Sequence, residues 1–510
     1  MEPVTQNDSN FWNVIKRIPS TIEKVPYFVL FLVVFSLCYL NFTPNSNEEQ
    51  YLQLAKQFMD PSWISNATSL TEFAGTRLIY QVLLGSVLKF MSFGATTLLF
   101  RAILIVVLSW ILAGIYRCLN LSKLQALFHL CALYLAHQAL FAGAWMFITV
   151  EPKGFAYPIV LCAVLCFFKK KPWKGTLLLI AATYVHVLVG FYTAFYLFVA
   201  LLFIQKENRN NFKSVVIQGI TYLLTLIPLI IYVKSAVAFI PNVELPSPDW
   251  IYTYYRSPHH TALFKTPRYF LEHHLFGVLL TFLAGMFLYF VPKKGNYPFL
   301  LSRHFVLASI TGTLIFVLIA LVDKQGVLLK YYPFRIMAMS TFFMGACILS
   351  VLCNSIKEQQ RPVFKFGLVL LAFYGLIQLA IPNVLANKHA VLSQDPLEEA
   401  CDFIKEESKP DLRIFSFVGN ASVTRLTERD RYAVNKFIPA EFAKVQDWYI
   451  RDQKRQELMN ESENLHQFCS EENIEFVLAL SKSKLPIGFV SVFENEKYTV
   501  YKWIALQKQL

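Results

Sequence analysis

Apolar runs about as long as a bilayer is thick recur along most of this chain. They begin at Tyr27 and continue to about Ile381, and a helix needs about 20 apolar residues to cross the hydrocarbon core. Of the 510 residues, 55% are hydrophobic and 16% are charged, whereas roughly 25% of an ordinary soluble protein is charged. The sequence therefore predicts an all-α, polytopic membrane bundle.

The formal net charge of +13 invites comparison with nucleic-acid-binding proteins. The basic residues are nevertheless scattered through short loops between the apolar runs, and Lys169-Lys170-Lys171 is a clear cluster. Such clusters are typical of the cytoplasmic edge of a membrane. We therefore expect membrane lipid, and no nucleic acid, as a partner.

The positions of lysine and arginine also orient the chain. Lys16, Arg17 and Lys24 precede the first apolar run, which predicts a cytoplasmic amino-terminal segment over residues 1–25. The first long loop, residues 42–77, is then outside.

Two stretches decide how many crossings follow. Lys123–Val150 is long for one helix, and dividing it into two passes keeps the lysine cluster 169–171 inside. Gly175–Gln205 is divided in the same way, which places His186 near an outer turn. With a second long outer loop at residues 235–273, we expect about thirteen crossings and an outer carboxyl terminus.

From about residue 385 the composition becomes that of a soluble protein. Four segments have the pattern of strands, namely Arg413–Val418, Phe476–Leu480, Phe489–Phe493 and Tyr498–Trp503. The predicted organisation is therefore a membrane domain over residues 26–384 and a small extracytoplasmic α/β domain over residues 385–510. No glycine-rich phosphate loop is present, so no nucleotide is expected.

Ionisable residues that are unusual beside apolar runs all fall on the predicted outer face. They are Glu48, Glu49, Glu151, Lys153, His186, Arg256, His259, His260 and Arg335. Charged groups near hydrocarbon are costly and are therefore candidates for function. Their restriction to one face is hard to explain by structural need alone.

Two interpretations are open for the carboxylates of Glu48, Glu49 and Glu151. Because neighbours in a helix point in different directions, at most one of Glu48 and Glu49 need face a cavity, as a general base or a cation ligand. Alternatively, the pair opens an amphipathic helix in the loop. Glu151 either takes part in the site or caps a helix whose first turn is Pro152-Lys153.

The basic residues point to an anion. Arg256, and Arg335 after a run of aromatic residues, could hold a phosphate at the membrane surface. The imidazoles of His259 and His260 could donate hydrogen bonds or bind a metal. The alternatives are an interfacial anchor for Arg335 and a hydrogen bond between helices for His186.

Taken together, these residues resemble the GT-C superfamily of integral-membrane glycosyltransferases, which includes the oligosaccharyltransferase catalytic subunit and the protein mannosyltransferases. The resemblance is closer to a bacterial group of GT-C-like membrane proteins. It rests on the acidic first outer loop and on five stretches, Glu151–Tyr157, Lys169–Gly190, Arg256–His260, Tyr332–Arg335 and Arg425–Tyr432.

The resemblance implies a glycosyltransferase of the bacterial inner membrane that transfers a hexosyl or pentosyl group. The donor would be a polyprenyl-phosphate-linked sugar, and the acceptor a glycan, lipid or protein at the outer, periplasmic face. The family's first-loop carboxylate, a base or a ligand of Mg²⁺ or Mn²⁺, falls on Glu48 or Glu49. The residue that grips the lipid phosphate falls on Arg335.

Two other classes stay open at the level of sequence. A transporter or flippase of lipid-linked glycans would carry charges along a path through the membrane and related halves. A non-catalytic scaffold of envelope polysaccharide assembly would tolerate replacement of Glu48 and Glu49.

Overall fold

The computed structural model describes residues 18–504 except 66, 71–76, 144, 206–208, 238–241, 292–294, 357–359, 393–394 and 484. Lys16 and Arg17, on which the cytoplasmic amino terminus was predicted, lie outside the described residues. The helices of the first part are α1 Ile18–Lys24, α2 Tyr27–Tyr39, α3 Ser46–Met59, α4 Leu78–Val87, α5 Phe93–Cys118, α6 Lys123–Leu135, α7 Pro152–Phe168, α8 Pro172–Val185, α9 Val187–Gln205, α10 Arg209–Thr225 and α11 Ile227–Val237.

Short helical turns then precede the last long helices. These elements are α12 Pro248–Trp250, a π-helix at Ile251–Arg256, α13 Pro258–Thr261, α14 Pro267–His273, α15 Leu275–Phe290, α16 Tyr297–Val322, 3₁₀ turns at Leu329–Tyr331 and Pro333–Ile336, α17 Met337–Ser355 and α18 Arg361–Leu392. Because α18 continues to Leu392, the predicted domain boundary after residue 384 falls inside a helix.

The predicted polytopic bundle is confirmed. Among the described residues, six helices are long and apolar enough to cross a membrane, or up to eight if each bent helix pair is one span. Large apolar side chains such as Phe276 and Phe290 on α15 are exposed, as expected where lipid replaces water as the solvent. The predicted count of thirteen crossings is not confirmed, and two regions account for part of the difference.

The first region is α4, which was predicted to cross the membrane. It has 10 residues and is therefore about 15 Å long, half the thickness of the hydrocarbon core. Leu84 and Leu88 pack in one cluster with Leu52 of α3 and with Phe93, where α5 begins. Both ends of α4 therefore lie at the same end of the bundle, beside α3.

The second region is Lys123–Val150, predicted as two passes. It forms one helix, α6, followed by an irregular loop that we call the site loop, residues 136–151. Positive φ angles at His137, Gln138, Ala142 and Gly143 stop the helix. The Gln138 side-chain oxygen accepts the backbone N–H groups of Met146 and Phe147 at 2.7 and 2.8 Å and fixes the loop.

The end of α5 and the start of α6 lie beside the first helices. Arg117 stacks over the ring of Tyr27, and the backbone N–H of Lys123 donates to the Glu23 carboxylate. The division of Lys123–Val150 into two passes would put Arg117 and Lys123 on the outer side, but both lie at the bundle end where α2 begins.

The C-terminal domain is a five-stranded sheet flanked by helices. Its elements are α19 Pro396–Glu407, β1 Arg413–Ser416, α20 Ser422–Thr427, β2 Asp430–Arg431, α21 Phe442–Asn460, a 3₁₀ turn at Ser462–Asn464, α22 Leu465–Glu471, β3 Ile474–Leu480, β4 Phe489–Glu494 and β5 Tyr498–Trp503. The strand order is β2-β1-β3-β5-β4, with parallel pairs among β2, β1 and β3 and antiparallel pairs among β3, β5 and β4.

Polar contacts fasten this domain to the bundle. The Asp430 carboxylate accepts hydrogen bonds from the Thr68 hydroxyl at 2.9 Å and the Ser69 hydroxyl at 3.2 Å. The Tyr255 hydroxyl donates to Asp452 of α21 at 2.6 Å. We call the bundle end that carries these contacts the domain end.

Candidate active site

The first turn of α3 carries the two carboxylates predicted as the base. The Asn45 side chain accepts the backbone N–H of Glu48, and the Glu48 side chain accepts the N–H of Asn45, which forms a capping box. Glu48 is fully buried. Its carboxylate also accepts from Arg101, through Nε at 3.1 Å and through Nη2, and from the N–H of Val150 at 2.7 Å. These bonds tie α3 to the bundle.

Glu49 points the other way, as expected for its helical neighbour. It is 4% exposed, and the Arg425 guanidinium of the C-terminal domain grips both carboxylate oxygens at 2.8–3.2 Å. Burial alone would lower the pKa of Arg425, but the hydrogen bonds and charge of Glu49 outweigh it and raise that pKa. Glu49 thus joins α3 to the second domain.

A divalent cation does not fit this pair of carboxylates in the structure. Each already has an arginine as its counter-charge, and in the described ranges no three His, Cys, Asp or Glu side chains come together as a metal site would require. No step of the chemistry below therefore runs through a metal ion.

Glu151, at the end of the site loop, has different surroundings. It is 2% exposed and precedes Pro152, the first residue of α7. Its carboxylate accepts hydrogen bonds from the Thr149 hydroxyl at 2.7 Å, the Trp145 indole at 3.1 Å and the Asn47 amide at 3.4 Å. Three side-chain donors, two from the site loop and one from the first turn of α3, therefore aim at one carboxylate.

The charge of this carboxylate is stabilised. Burial tends to raise the pKa of Glu151, but the ammonium group of Lys153, 3.4 Å away, the hydrogen bonds from Thr149 and Trp145, and the charge of Arg335 outweigh burial and lower it. Glu151 is therefore ionised near neutral pH.

A small pocket beside Glu151 brings together three of the predicted residues. Lys153, His260 and Arg335 line it, with Tyr332 and the backbone of Ala142 and Gly143. Arg335 stacks over the Tyr332 ring, with 5.0 Å between the guanidinium carbon and the ring centre. Tyr332 has φ of 50°, which turns the chain between the two 3₁₀ turns and directs Arg335 toward the pocket. We call these six residues the basic pocket.

His260 presents a hydrogen-bond acceptor to this pocket. Its Nδ1 lies 2.8 Å from the Ala142 carbonyl oxygen, so Nδ1 carries the proton and Nε2 carries the lone pair. Burial, then the neighbouring His259 and Arg335, lower the pKa of His260 to about 2. The ring is therefore neutral and can accept a hydrogen bond from a hydroxyl group.

His186 and Arg335 present donors to each other. His186 Nδ1 accepts the backbone N–H of Val189 at 3.3 Å, which leaves the proton of the neutral ring on Nε2. Arg335 Nη1 lies 3.3 Å from that Nε2. Burial, then Arg335 and Arg77, hold the pKa of His186 well below its usual value. Two donors that face each other call for an acceptor, and an anion satisfies both.

Arg256 and His259 lie beside this group. The His259 and His260 rings are in contact at a tilt of 45°, with 3.9 Å between their centres. Burial, followed by the charge of Arg256, lowers the pKa of His259. Arg256 Nε is buried and has no hydrogen-bond partner within the described residues. The predicted residues thus gather around Glu151 and the basic pocket, whereas Glu48 and Glu49 are ion-paired next to it.

Several residues of the site were not predicted. Trp145 and Thr149 belong to a segment read as a membrane pass, and Asn47, Arg101 and Arg425 have no pattern that pairs them with distant carboxylates. Only the position of Asn47 next to Glu48 was a usable signal.

A larger cleft than the basic pocket lies elsewhere. It has a volume of about 700 Å³ and lies between the loop after α3 and the C-terminal domain, with Phe58, Ile64, Thr68, Tyr432, Trp448 and Arg451 among its lining residues. None of the predicted site residues lines it. The charged group around Glu151 is therefore the candidate active site.

Comparison with known proteins identifies the fold. No family model and no curated protein matches the sequence. Among solved structures, ArnT from Cupriavidus metallidurans in the apo state matches with a TM-score of 0.52, 12% identity, and coverage of 94% of this chain and 98% of ArnT. The chain has the fold of ArnT.

ArnT is a GT-C glycosyltransferase, so the predicted GT-C-like architecture is confirmed. A second ArnT structure from the same organism, bound to undecaprenyl phosphate, matches with 11% identity, a TM-score of 0.43 and coverage of 98% and 99% of the two chains. The low identities limit the likeness to the fold, and the function must be argued from the site.

Proposed function

We propose that the protein is a membrane glycosyltransferase that transfers a sugar from a polyprenyl-phosphate-linked donor to an acceptor at the outer face of a bacterial inner membrane. The observation that carries the proposal is the basic pocket next to the ionised Glu151. The cations and unmatched hydrogen-bond donors of the basic pocket can bind a phosphate. The adjacent carboxylate of Glu151 can accept the proton of a hydroxyl group.

The charges favour an anionic ligand. Lys153 and Arg335 bring two positive charges to the pocket, and Glu151 supplies one negative charge. A phosphate diester beside Arg335 and His186, whose nitrogens are 3.3 Å apart, would accept from both donors and supply the missing negative charge.

The position of the pocket favours a phosphate with a lipid tail. Lys153 belongs to the first turn of the apolar helix α7, and Arg335 directly precedes α17. A phosphate at these helix ends can keep a prenyl chain in the bilayer while its sugar faces Glu151. A soluble nucleotide sugar would need no such position.

Transfer would proceed by displacement at the sugar. Glu151 accepts the proton of the acceptor hydroxyl, and the acceptor oxygen forms a bond to the anomeric carbon. The bond from that carbon to the phosphate oxygen breaks, and the electron pair leaves with polyprenyl phosphate. Lys153, Arg335 and His186 stabilise the charge of the leaving phosphate, and His260, with Arg256 and His259 beside it, lies within reach of the sugar hydroxyls.

In this proposal Glu151 takes the role that was expected of Glu48 or Glu49. Arg101 and Arg425 already occupy the oxygens of those two carboxylates, and a base must have a free lone pair. Glu48 and Glu49 hold the first turn of α3 against the site.

The topology is also part of the proposal. It places residues 1–25 in the cytoplasm, the membrane domain at 26–384, and the loops 42–77 and 235–273 and the domain 385–510 in the periplasm. The acceptor is a glycan, lipid or protein of the cell envelope, and the sugar is a hexose or a pentose.

The test uses the purified full chain in lipid nanodiscs. Radiolabelled polyprenyl-phosphate hexoses and pentoses are supplied with bacterial envelope glycans, lipids and proteins, and label in the acceptor is measured. We expect transfer by the wild type and a loss of at least about 100-fold in Glu151→Gln. Arg268→Met is the matched control, because Arg268 is exposed and paired with Glu272.

The other classes give different results. Movement of a labelled lipid-linked glycan across proteoliposomes without transfer would overturn the proposal in favour of a transporter. Absence of both activities with every donor would favour a scaffold. Equal transfer by wild type and Glu151→Gln would reject Glu151 as the base.

A further inference from the structure

The C-terminal domain reaches the candidate active site through one lysine. We infer that Lys436 is a positioning residue, which orients Asn47 so that its amide group holds the Glu151 carboxylate. The inference rests on the proposed function for the role of Glu151, but its contacts and its test do not require a substrate.

Two hydrogen bonds in series carry the inference. Lys436 Nζ donates to Asn47 Oδ1 at 2.7 Å, and Asn47 Nδ2 donates to Glu151 Oε2 at 3.4 Å. An amide group has one acceptor side and one donor side. Because Lys436 occupies the oxygen side, the NH₂ side must face the carboxylate. Without Lys436, the reversed amide would turn an oxygen toward Glu151.

Asn47 is held for this task by its neighbours in α3. Glu48 fastens the helix turn to Arg101 of the bundle, and Glu49 fastens it to Arg425 of the C-terminal domain. Asn47, Glu48 and Glu49 therefore point in three directions. The contact between Asn47 and Glu151 depends on both domains, because both hold this turn of α3.

Lys436 is itself held in place. The N–H of Phe437 donates to the Val434 carbonyl oxygen at 3.0 Å, and the Trp448 indole of α21 donates to the same oxygen at 3.1 Å. The segment that carries Lys436 is thus fixed to α21, and the side chain is half-buried. Because its backbone is fixed in this way, the Lys436 side chain is held beside Asn47 more firmly than a free surface lysine would be.

The electrostatics agree with a group at the site. Burial and then the charge of Arg256 lower the pKa of Lys436, while the charge of Glu151 acts in the opposite direction. The charged groups that face Glu151 are Lys153, Arg335 and, through Asn47, Lys436. Removing Lys436 should therefore make Glu151 easier to protonate.

The test reads the protonation of Glu151 through its own indole partner. The full chain is labelled with 5-fluorotryptophan in nanodiscs, and the Trp145 signal, assigned with Trp145→Phe, is followed by ¹⁹F NMR as the pH falls. Trp145 Nε1 donates to Glu151 Oε1 at 3.1 Å, so the signal should move when Glu151 is protonated. Glu151→Gln should abolish that movement.

We expect the midpoint to rise by about 0.5–1 pH unit in Lys436→Met. Asn47→Ala should shift it in the same direction, and the double variant should add little, because both act through one contact. Lys436→Arg should keep the wild-type midpoint. Lys454→Met is the matched control, since Lys454 is an exposed lysine of the same domain, paired with Glu457.

A midpoint in Lys436→Met equal to that of the wild type, in a chain that melts at the wild-type temperature, would overturn the inference. Additive shifts in the double variant would also contradict a path through Asn47. With a transferable donor, Lys436→Met should lower kcat about 10-fold and change KM less than twofold. A chain without transferase activity that still shows the shift would reject the proposed function and leave the contact path standing.

Discussion

Two groups of buried charge lie side by side at the domain end, and they are built differently. In the first turn of α3, Glu48 is matched by Arg101 and Glu49 by Arg425, one cation for each carboxylate. Around the basic pocket, Lys153 and Arg335 share the single carboxylate of Glu151.

The ion pairs of α3 need no ligand, whereas the basic pocket has positive charge and donors that an anionic ligand would neutralise. A matched pair has satisfied its hydrogen bonds and gains nothing from an anion or a cation. A pocket with surplus donors is incomplete until an anion arrives. Two adjacent carboxylates in sequence do not reveal whether each has a counter-charge, whereas the structure shows that both do.

The largest expected effect tests the matched group. Glu48→Gln leaves Arg101, which is 4% exposed, without its counter-charge, and such a loss costs about 3–5 kcal/mol of unfolding free energy. Denaturation of the full chain in detergent measures it. If Glu48→Gln unfolds with the same free energy as the wild type, the pair of Glu48 and Arg101 is not structural, and the contrast with the basic pocket is wrong.

The second effect tests the surplus group. Arg335→Met should weaken binding of a polyprenyl phosphate by about 30–100-fold, or about 2–3 kcal/mol, because a charge-assisted bond to phosphate is lost. Thermal stability should change little, since Arg335 has no carboxylate partner among the described residues within salt-bridge distance. Isothermal titration in nanodiscs checks the affinity, with Arg268→Met as control.

A third effect depends on pH. The pKa of His260 is lowered to about 2 in the folded chain, first by burial, whereas an exposed histidine titrates near 6.5. Below about pH 6.5 the unfolded chain therefore binds the extra proton, and stability falls by up to about 1.4 kcal/mol per pH unit for this group. His260→Asn should flatten this slope, and the exposed His466→Asn should not.

The smallest effect sharpens the contrast between the two matched carboxylates. Arg425 is 23% exposed in its side chain, so water can replace part of the interaction with Glu49. Glu49→Gln should cost about 1–2 kcal/mol, and mainly loosen the C-terminal domain. Faster limited proteolysis of that domain, with an intact bundle, is the expected result. If Glu49→Gln lowers the unfolding free energy as much as Glu48→Gln does, the two carboxylates do not differ in structural weight.

Much of the architecture could be predicted because it depends on local patterns. Apolar runs set the helices of the bundle, and β-branched and aromatic residues set the strands β1, β3, β4 and β5. The two-residue strand β2 was missed, since Asp430-Arg431 has no strand pattern and pairs only because β1 lies beside it.

The errors in the bundle have one cause. Both α4 and the site loop are apolar, and hydropathy does not distinguish a membrane pass from a segment that is buried against the rest of the protein at the domain end. The path of the site loop is set by the positive φ angles near Gln138 and by the backbone N–H groups that donate to the Gln138 side-chain oxygen. These features arise only when the loop meets α3 and α7.

The sequence by itself determined the membrane bundle, the α/β domain and the set of unusual charged residues, because each depends on composition and short-range periodicity. Only the tertiary structure decided which charges neutralise one another. Glu48 and Arg101 are 53 positions apart, and Glu49 and Arg425 are 376 apart. Pairing over such separations depends on how helices pack in three dimensions, and that packing decides which acidic residues have an arginine as counter-charge and which lies beside the basic pocket.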